Sequence, residues 1–166
     1  MFVLGIDPGL SRCGYACLEP GPRGARARAV GVIRTDPATP LPARLAELQA
    51  ELRALLAETA PAVVSIERVF FQVNVRTAMA VGQASGLAMA EAHAAGAEVV
   101  QYTPTQVKQA VAGDGRADKD QVGRMVQTLL GLAEAPRPAD AADAAALALC
   151  HLAHAPLRRV VAGPRG

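Results

Sequence analysis

Four carboxylates, Asp7, Glu67, Asp140 and Asp143, occupy positions from which a folded chain can bring them together. Asp7 ends a short apolar run, Phe2-Val3-Leu4-Gly5-Ile6, and Pro8-Gly9 breaks the chain directly after it. Glu67 ends a second such run, Ala62-Val63-Val64-Ser65-Ile66. Asp140 and Asp143 open an alanine-rich segment three residues apart, a spacing that puts both on one face of a helix. Carboxylates are hard oxygen ligands suited to magnesium or manganese, and no Cys or His cluster offers a softer site. Two such ions, about 4 Å apart, would activate water on one side of a phosphodiester and stabilise the leaving oxygen on the other. Hydrolysis of a nucleic-acid backbone is the chemistry this set fits best. Each acid also has a plainer account: turn chemistry for Asp7, strand termination and pairing with Arg68 for Glu67, an N-cap for Asp140, and helix-dipole stabilisation for Asp143.

Elements must hold these acids. The run ending at Asp7 is too short for a helix and reads as a buried strand. Gly14–Leu18 and Ala29–Ile33 read as two further strands around the turn Pro20–Gly24, giving an antiparallel meander of three. Leu45, Leu48, Leu52, Leu55 and Leu56 recur at helical spacing between Pro42 and Thr59. The strand after that crossover helix should lie parallel to a neighbour, so Glu67 emerges at the same edge as Asp7. Arg76 to Ala95 is an alanine-rich helix with Gly82 and Gly86 on one nearly bare face, a candidate dimer surface unless it packs within the chain. Glu98–Tyr102 reads as the last strand.

Thr103-Pro104-Thr105-Gln106 has the form of a capping box and starts a helix to about Ala112. A glycine loop, 113–116, precedes a helix begun by Asp118, with Val122, Met125, Val126, Leu129 and Leu130 along one face. The final helix runs from Asp140 through His154, where His151 and His154 are ordinary helix residues. The fold expected is α/β, a central mixed five-stranded sheet, three strands antiparallel then two parallel, flanked by helices. Residues 1–155 form one domain, and 156–166, with Arg158, Arg159 and Arg165, form a flexible tail.

A chain of 166 residues, 51% hydrophobic and 19% charged, is long enough to bury a core and is not a disordered segment. No basic leader or membrane-length apolar run is present, so a soluble, cytoplasmic protein without a membrane partner is expected. Three cysteines, Cys13, Cys17 and Cys150, fit no metal spacing and read as free thiols. A net charge of +2 is weak support for a nucleic-acid partner, but its distribution is more telling. Arginine supplies nearly all the positive charge, and the two lysines, Lys108 and Lys119, flank the glycine loop. The Arg23, Arg26, Arg28 cluster is most simply a solvated hairpin.

With these motifs in view, the chain resembles the RuvC-type Holliday junction resolvases, of the ribonuclease H-like fold group, along almost its whole length. The resemblance is carried by Leu4-Gly5-Ile6-Asp7-Pro8-Gly9, Ile66-Glu67-Arg68-Val69-Phe70, Gln83 with Gly86, Gln106-Val107-Lys108-Gln109 and Asp140-Ala141-Ala142-Asp143-Ala144. It implies a metal-binding, catalytic acid at each of Asp7, Glu67, Asp140 and Asp143, with two Mg2+ per subunit and Mn2+ as a substitute. It implies that Phe70 lies by the junction centre and that Lys108 and Lys119 contact DNA phosphates. It further implies a homodimer that nicks two strands of like polarity in four-way junctions during recombination and repair, in cooperation with RuvA and RuvB. Arg68 and Phe71 differ from some relatives.

Three rivals follow from the residues. An actin-like ATPase also begins with a strand ending in Asp-x-Gly but needs a second such domain, for which the chain is too short. A helix-turn-helix DNA reader built around Gly113–Gly115 would bind without cutting. Another ribonuclease H-like nuclease would share the acids but not the match at Phe70 and the lysines.

Overall fold

Alternation along the first strand decides which side of the sheet each helix covers. The computed structural model describes residues 1–68 and 74–162, with 156–162 as backbone alone. Strands β1 (Val3–Asp7), β2 (Arg12–Gly21) and β3 (Gly24–Arg34) form an antiparallel meander. Strands β4 (Val63–Glu67) and β5 (Glu98–Tyr102) add in parallel beyond β1, giving the order β3-β2-β1-β4-β5. This is the mixed sheet expected from sequence. In β1 and β4, Leu4, Ile6, Val64 and Ile66 face a core shared with α1 (Leu41–Thr59) and α2 (Val75–Ala94). Val3 and Val63 face the opposite core, built with α3 (Pro104–Ala112), α4 (Lys119–Leu130) and α5 (Ala139–Ala162). Asp7 and Glu67 share the parity of Val3 and Val63, so both fall on the α5 side.

A bed of small residues lets α5 come down onto the sheet. Gly5 pairs with Ser65 across β1 and β4, and Gly14 pairs with Asp7 across β1 and β2. A methyl group on Gly5 would collide with the backbone carbonyl of Ala144, and one on Gly14 with that of Asp140. The Ser65 hydroxyl donates to the Leu147 carbonyl at 2.8 Å, joining β4 to α5 inside the core. Packing this close is available only where Cβ is absent or small.

Several elements differ in extent from their sequence expectation. The hairpin strands continue to a turn at Pro22-Arg23, with Gly21 paired to Gly24. Because β1 pairs with β2 only as far as Leu18, Pro20 lies where β2 has one neighbour and its missing N–H is tolerated. The last helix does not end at His154: α5 continues through Pro156 to Ala162. Proline lacks one donor, but its fixed φ is compatible with a helix. Leu129 is 43% exposed, because Val122, Val126 and Leu130 already form the buried ridge of α4. Gly82 and Gly86 are exposed, and among the described residues nothing packs within 4 Å of a methyl group placed on either. Phe70 lies outside the described residues.

The α1–α2 pair is clasped by a charge. Glu91, 7% exposed, accepts from Gln49 Nε2 at 2.6 Å and from both Arg53 Nε and Nη2, at 2.9 and 2.8 Å. These hydrogen bonds from Arg53 and then Gln49 hold the Glu91 carboxyl below its usual range. A depressed acid adds stability above its unfolded pKa and loses it as pH falls through the folded value. Arg53→Met is therefore expected to lower the melting temperature at pH 7 and to differ little from wild type near pH 3. Thermal unfolding at the two pH values checks this, and equal losses at both would assign Arg53 to packing alone.

Candidate active site

The cleft at the C-terminal ends of β1 and β4 has a volume of about 290 Å³ and is lined by all four acids together with Lys108, Lys119, Pro104, Val107 and Val122. Asp7 and Glu67 reach it from adjacent parallel strands in matching register. Asp140 and Asp143 reach it from the first turns of α5, which rests on Gly14 and Gly5. Because the helix begins at Ala139, Asp140 lies inside its first turn instead of capping it. Lys119 arrives from the start of α4, which Asp118 caps with a capping box, and Lys108 from α3. The α3 and α4 faces carrying Val107, Val111, Val122, Val126 and Leu130 are buried in the core, so the glycine loop serves to aim two lysines. A larger hollow of about 520 Å³ beside the hairpin is lined by Glu19 and the 20–26 segment and gathers no comparable set.

Charge in the cleft is unbalanced. Burial, followed by the neighbouring carboxylates of Asp143, Glu67 and Asp140, pushes Asp7 up to about 8, with Lys119 opposing. Burial and then Asp143 also raise Glu67, while Lys119 and Lys108 counter the rise. The Lys119 ammonium donates to Asp143 Oδ2 at 3.1 Å, and this bond raises its own pKa. On the other side, Arg12 Nη1 stands 4.0 Å from Asp140 Oδ2. The Cys13 thiol beneath the site is pushed up to about 12, chiefly by burial, and stays protonated.

The donor set fits a divalent cation: carboxylate oxygens on rigid elements, with a local excess of negative charge. Among the described residues, no three Asp, Glu, His or Cys side chains converge closely enough to hold one ion as they stand. An ammonium, that of Lys119, occupies Asp143. Filling the site with a cation requires side-chain movement on a backbone that already gathers the ligands.

A mixed sheet of this order, with carboxylates at the ends of β1 and β4 and at the start of a helix laid across them, defines a ribonuclease H-like nuclease. The chain belongs to the RuvC family, because the family model "Crossover junction endodeoxyribonuclease RuvC" matches residues 3–151. A curated relative of that description from Salinispora arenicola is 55% identical over 92% of this chain and 87% of its own. The solved structure "T. thermophilus RuvC in complex with Holliday junction substrate" is 40% identical, with a TM-score of 0.89 over 95% of this chain and 96% of that one. The yeast mitochondrial resolvase Ydc2, 16% identical with a TM-score of 0.68 over 91% of this chain and 78% of its own, shares the fold. The chain is thus an endodeoxyribonuclease.

Of the residues named from sequence, the cleft gathers Asp7, Glu67, Asp140, Asp143, Lys108 and Lys119. Arg12 and Gly14 were missed. The period-2 rule that faces Asp7 toward α5 applies equally to β2, and it places Gly14 and Arg12 on that side once the Asp7–Gly14 register is known.

Proposed function

We propose that this chain resolves four-way DNA junctions by metal-dependent hydrolysis of phosphodiesters in two strands of like polarity. The observation that carries the reading is the convergence of four carboxylates from β1, β4 and α5 in one cleft edged by Lys108 and Lys119. Asp7, Glu67, Asp140 and Asp143 would hold two Mg2+ ions, with Mn2+ able to replace them. When bound, such ions lower the pKa of a water nucleophile and neutralise charge on the leaving oxygen. The residues of the chain do the rest. Asp7 and Glu67, fixed by the sheet, set where the scissile phosphate stands. Lys119 leaves Asp143 for a phosphate oxygen, and Lys108 takes a second. The apolar floor of Val107 and Val122 limits the access of bulk water.

Two cuts in one junction need two sites related by a twofold axis, so a homodimer is part of the proposal. The exposed face of α2, with Val75 at 75% and Met79 at 61% exposure beside the open Gly82 and Gly86, supports it. Phe70 at the junction centre and cooperation with RuvA and RuvB rest on family resemblance. A cytoplasmic setting is supported by three unpaired thiols, and no helix among the described residues is long and apolar enough to cross a membrane.

The test is a synthetic four-way junction incubated with Mg2+ or Mn2+, beside Glu67→Gln. Wild type should leave paired, symmetric nicks that vanish with a chelator. Glu67→Gln should bind the junction as well or better and cut at least about 10²-fold more slowly, the scale for losing one preorganised charged group. A folded, junction-binding wild type that never nicks, across both metals and several junction sequences, would overturn the reading.

A further inference from the structure

Lys108 and Lys119 attend the cleft from the α3–α4 side, where both act on Glu67. The opposite side, toward β2 and β3, is cationic too. Arg12 begins β2, and its antiparallel register partner at the end of β3 is Arg34. Both are exposed, and residues directly opposite project from the same face. Like charges in that relation destabilise a sheet unless something neutralises them. Arg12 has only a loose contact with Asp140, 4.0 Å between partners whose side chains are 58% and 29% exposed. Such a pair is worth little in water and exchanges readily. Among the described residues no acid pairs with Arg34.

The strand ends carrying these two arginines are held firmly. The Thr35 hydroxyl, buried, donates to the Leu10 carbonyl at 2.6 Å. Arg44 donates through Nε to Thr35 Oγ1 at 3.0 Å and through Nη2 to Ser11 Oγ at 2.7 Å. Ser11 and Thr35 are the immediate neighbours of Arg12 and Arg34. Adjacent strands lie about 5 Å apart, so the two guanidiniums extend the cleft by roughly one and two strand widths beyond Asp7. Two solvent-facing arginines in register on firmly held neighbouring strand ends make a seat for an anion with paired oxygens.

We propose that Arg12 and Arg34 form a phosphate seat for the substrate strand, on the side of the acids away from Lys108 and Lys119. The ligand is a backbone phosphodiester flanking the scissile one. This rests on the nuclease reading above. The cut strand then lies across the sheet edge, gripped by lysines on one side and arginines on the other, with the scissile bond over the carboxylates. On binding, Arg12 gives up Asp140 for the phosphate, which frees that carboxylate for its own ligand.

The test is junction binding against salt concentration for wild type, Arg12→Gln, Arg34→Gln and the double variant, in Ca2+ so that nothing is cut. Each single variant should weaken binding about tenfold at low salt, the scale of one charge-assisted contact, and reduce the log–log salt slope by about 0.9. Junctions bearing one neutral methylphosphonate at successive positions around the cut locate the contact. At one flanking position the neutral group should weaken wild type but cost Arg12→Gln nothing further. Unchanged salt slopes, or additive losses at every position, would overturn the proposal and leave Arg12 as a partner of Asp140 only. A wild type that fails to bind junctions at all would instead sink the nuclease reading on which it stands. Melting temperatures should not fall below wild type, since both side chains are exposed and each substitution removes one of two like charges paired across the strands.

Discussion

Asp7→Asn is expected to abolish cleavage and, in the metal-free protein, to raise the melting temperature. The first effect follows from removing a rigidly held acid at the centre of the cleft, a loss of at least about 10²–10³-fold for one preorganised charged group. The second follows from the charge imbalance there. Burial and three neighbouring carboxylates raise Asp7 from 3.8 to about 8 in the fold. Between those values the unfolded chain has released the proton that the native state keeps, so metal-free stability falls as pH rises. Asn carries no such charge. The variant should therefore melt about 3 °C or more above metal-free wild type at pH 8, the scale of 1 kcal/mol for this size, and close to it at pH 4. Adding Mg2+ or Mn2+ at pH 8 should stabilise wild type far more than the variant. A scanning calorimetry series with chelator and with metal decides it. An unchanged metal-free melting temperature at pH 8 would mean that Lys119 already neutralises the site.

The second large effect concerns residues with no side chain. Gly5→Ala would drive a methyl group into the Ala144 carbonyl with the Ala148 nitrogen also close, at 2.9 Å, and all the obstructing atoms are backbone. Forced overpacking of this kind costs about 1–3 kcal/mol, or roughly 3–10 °C in melting temperature at this size. Gly14→Ala would press on the Asp140 carbonyl, and its Cβ would also stand 3.1 Å from Asp140 Cβ. It should thus lift the first turn of α5, and with it Asp140 and Asp143, off the strands carrying Asp7. Cleavage by Gly14→Ala should fall more than its stability predicts, whereas Gly5→Ala should lose stability first. Measuring rate and melting temperature on both separates the two. Wild-type cleavage by Gly14→Ala would mean that α5 is free to shift without harm.

These two cases mark where sequence reading reaches and where it stops. Asp7 and Glu67 were legible because each ends a short apolar run, and a parallel crossover brings equivalent strand ends together. Asp140 and Asp143 were legible through helical spacing. Lys108 and Lys119 stood out by residue type, and the capping box at Thr103 announced α3. Gly14 and Arg12 were not legible, because their meaning depends on the pairing of β1 with β2 and on which side α5 lies. The length of the hairpin was hidden for a similar reason: Pro20 stops a strand flanked on both sides but not one that has outrun its neighbour. Leu129 fits a helical apolar stripe, yet a ridge of three residues suffices to bury α4. The exposure of Gly82 and Gly86 could not be read from spacing, since a bare helix face serves packing within a chain or between chains equally well.

The three cysteines carry a consequence of their own. All are buried, and Cys13 and Cys150 are pushed up to about 12, so almost none of either exists as the reactive thiolate at neutral pH. Peroxide and disulfide exchange thus find little to attack beneath the nuclease centre. Among the described residues, the sulfur most open to oxidants is in thioethers, at Met1 and Met79, which are 58% and 61% exposed. Oxidative damage would therefore register at the N-terminus and on the outer face of α2, as methionine sulfoxide, while the carboxylates of the cleft remained chemically intact.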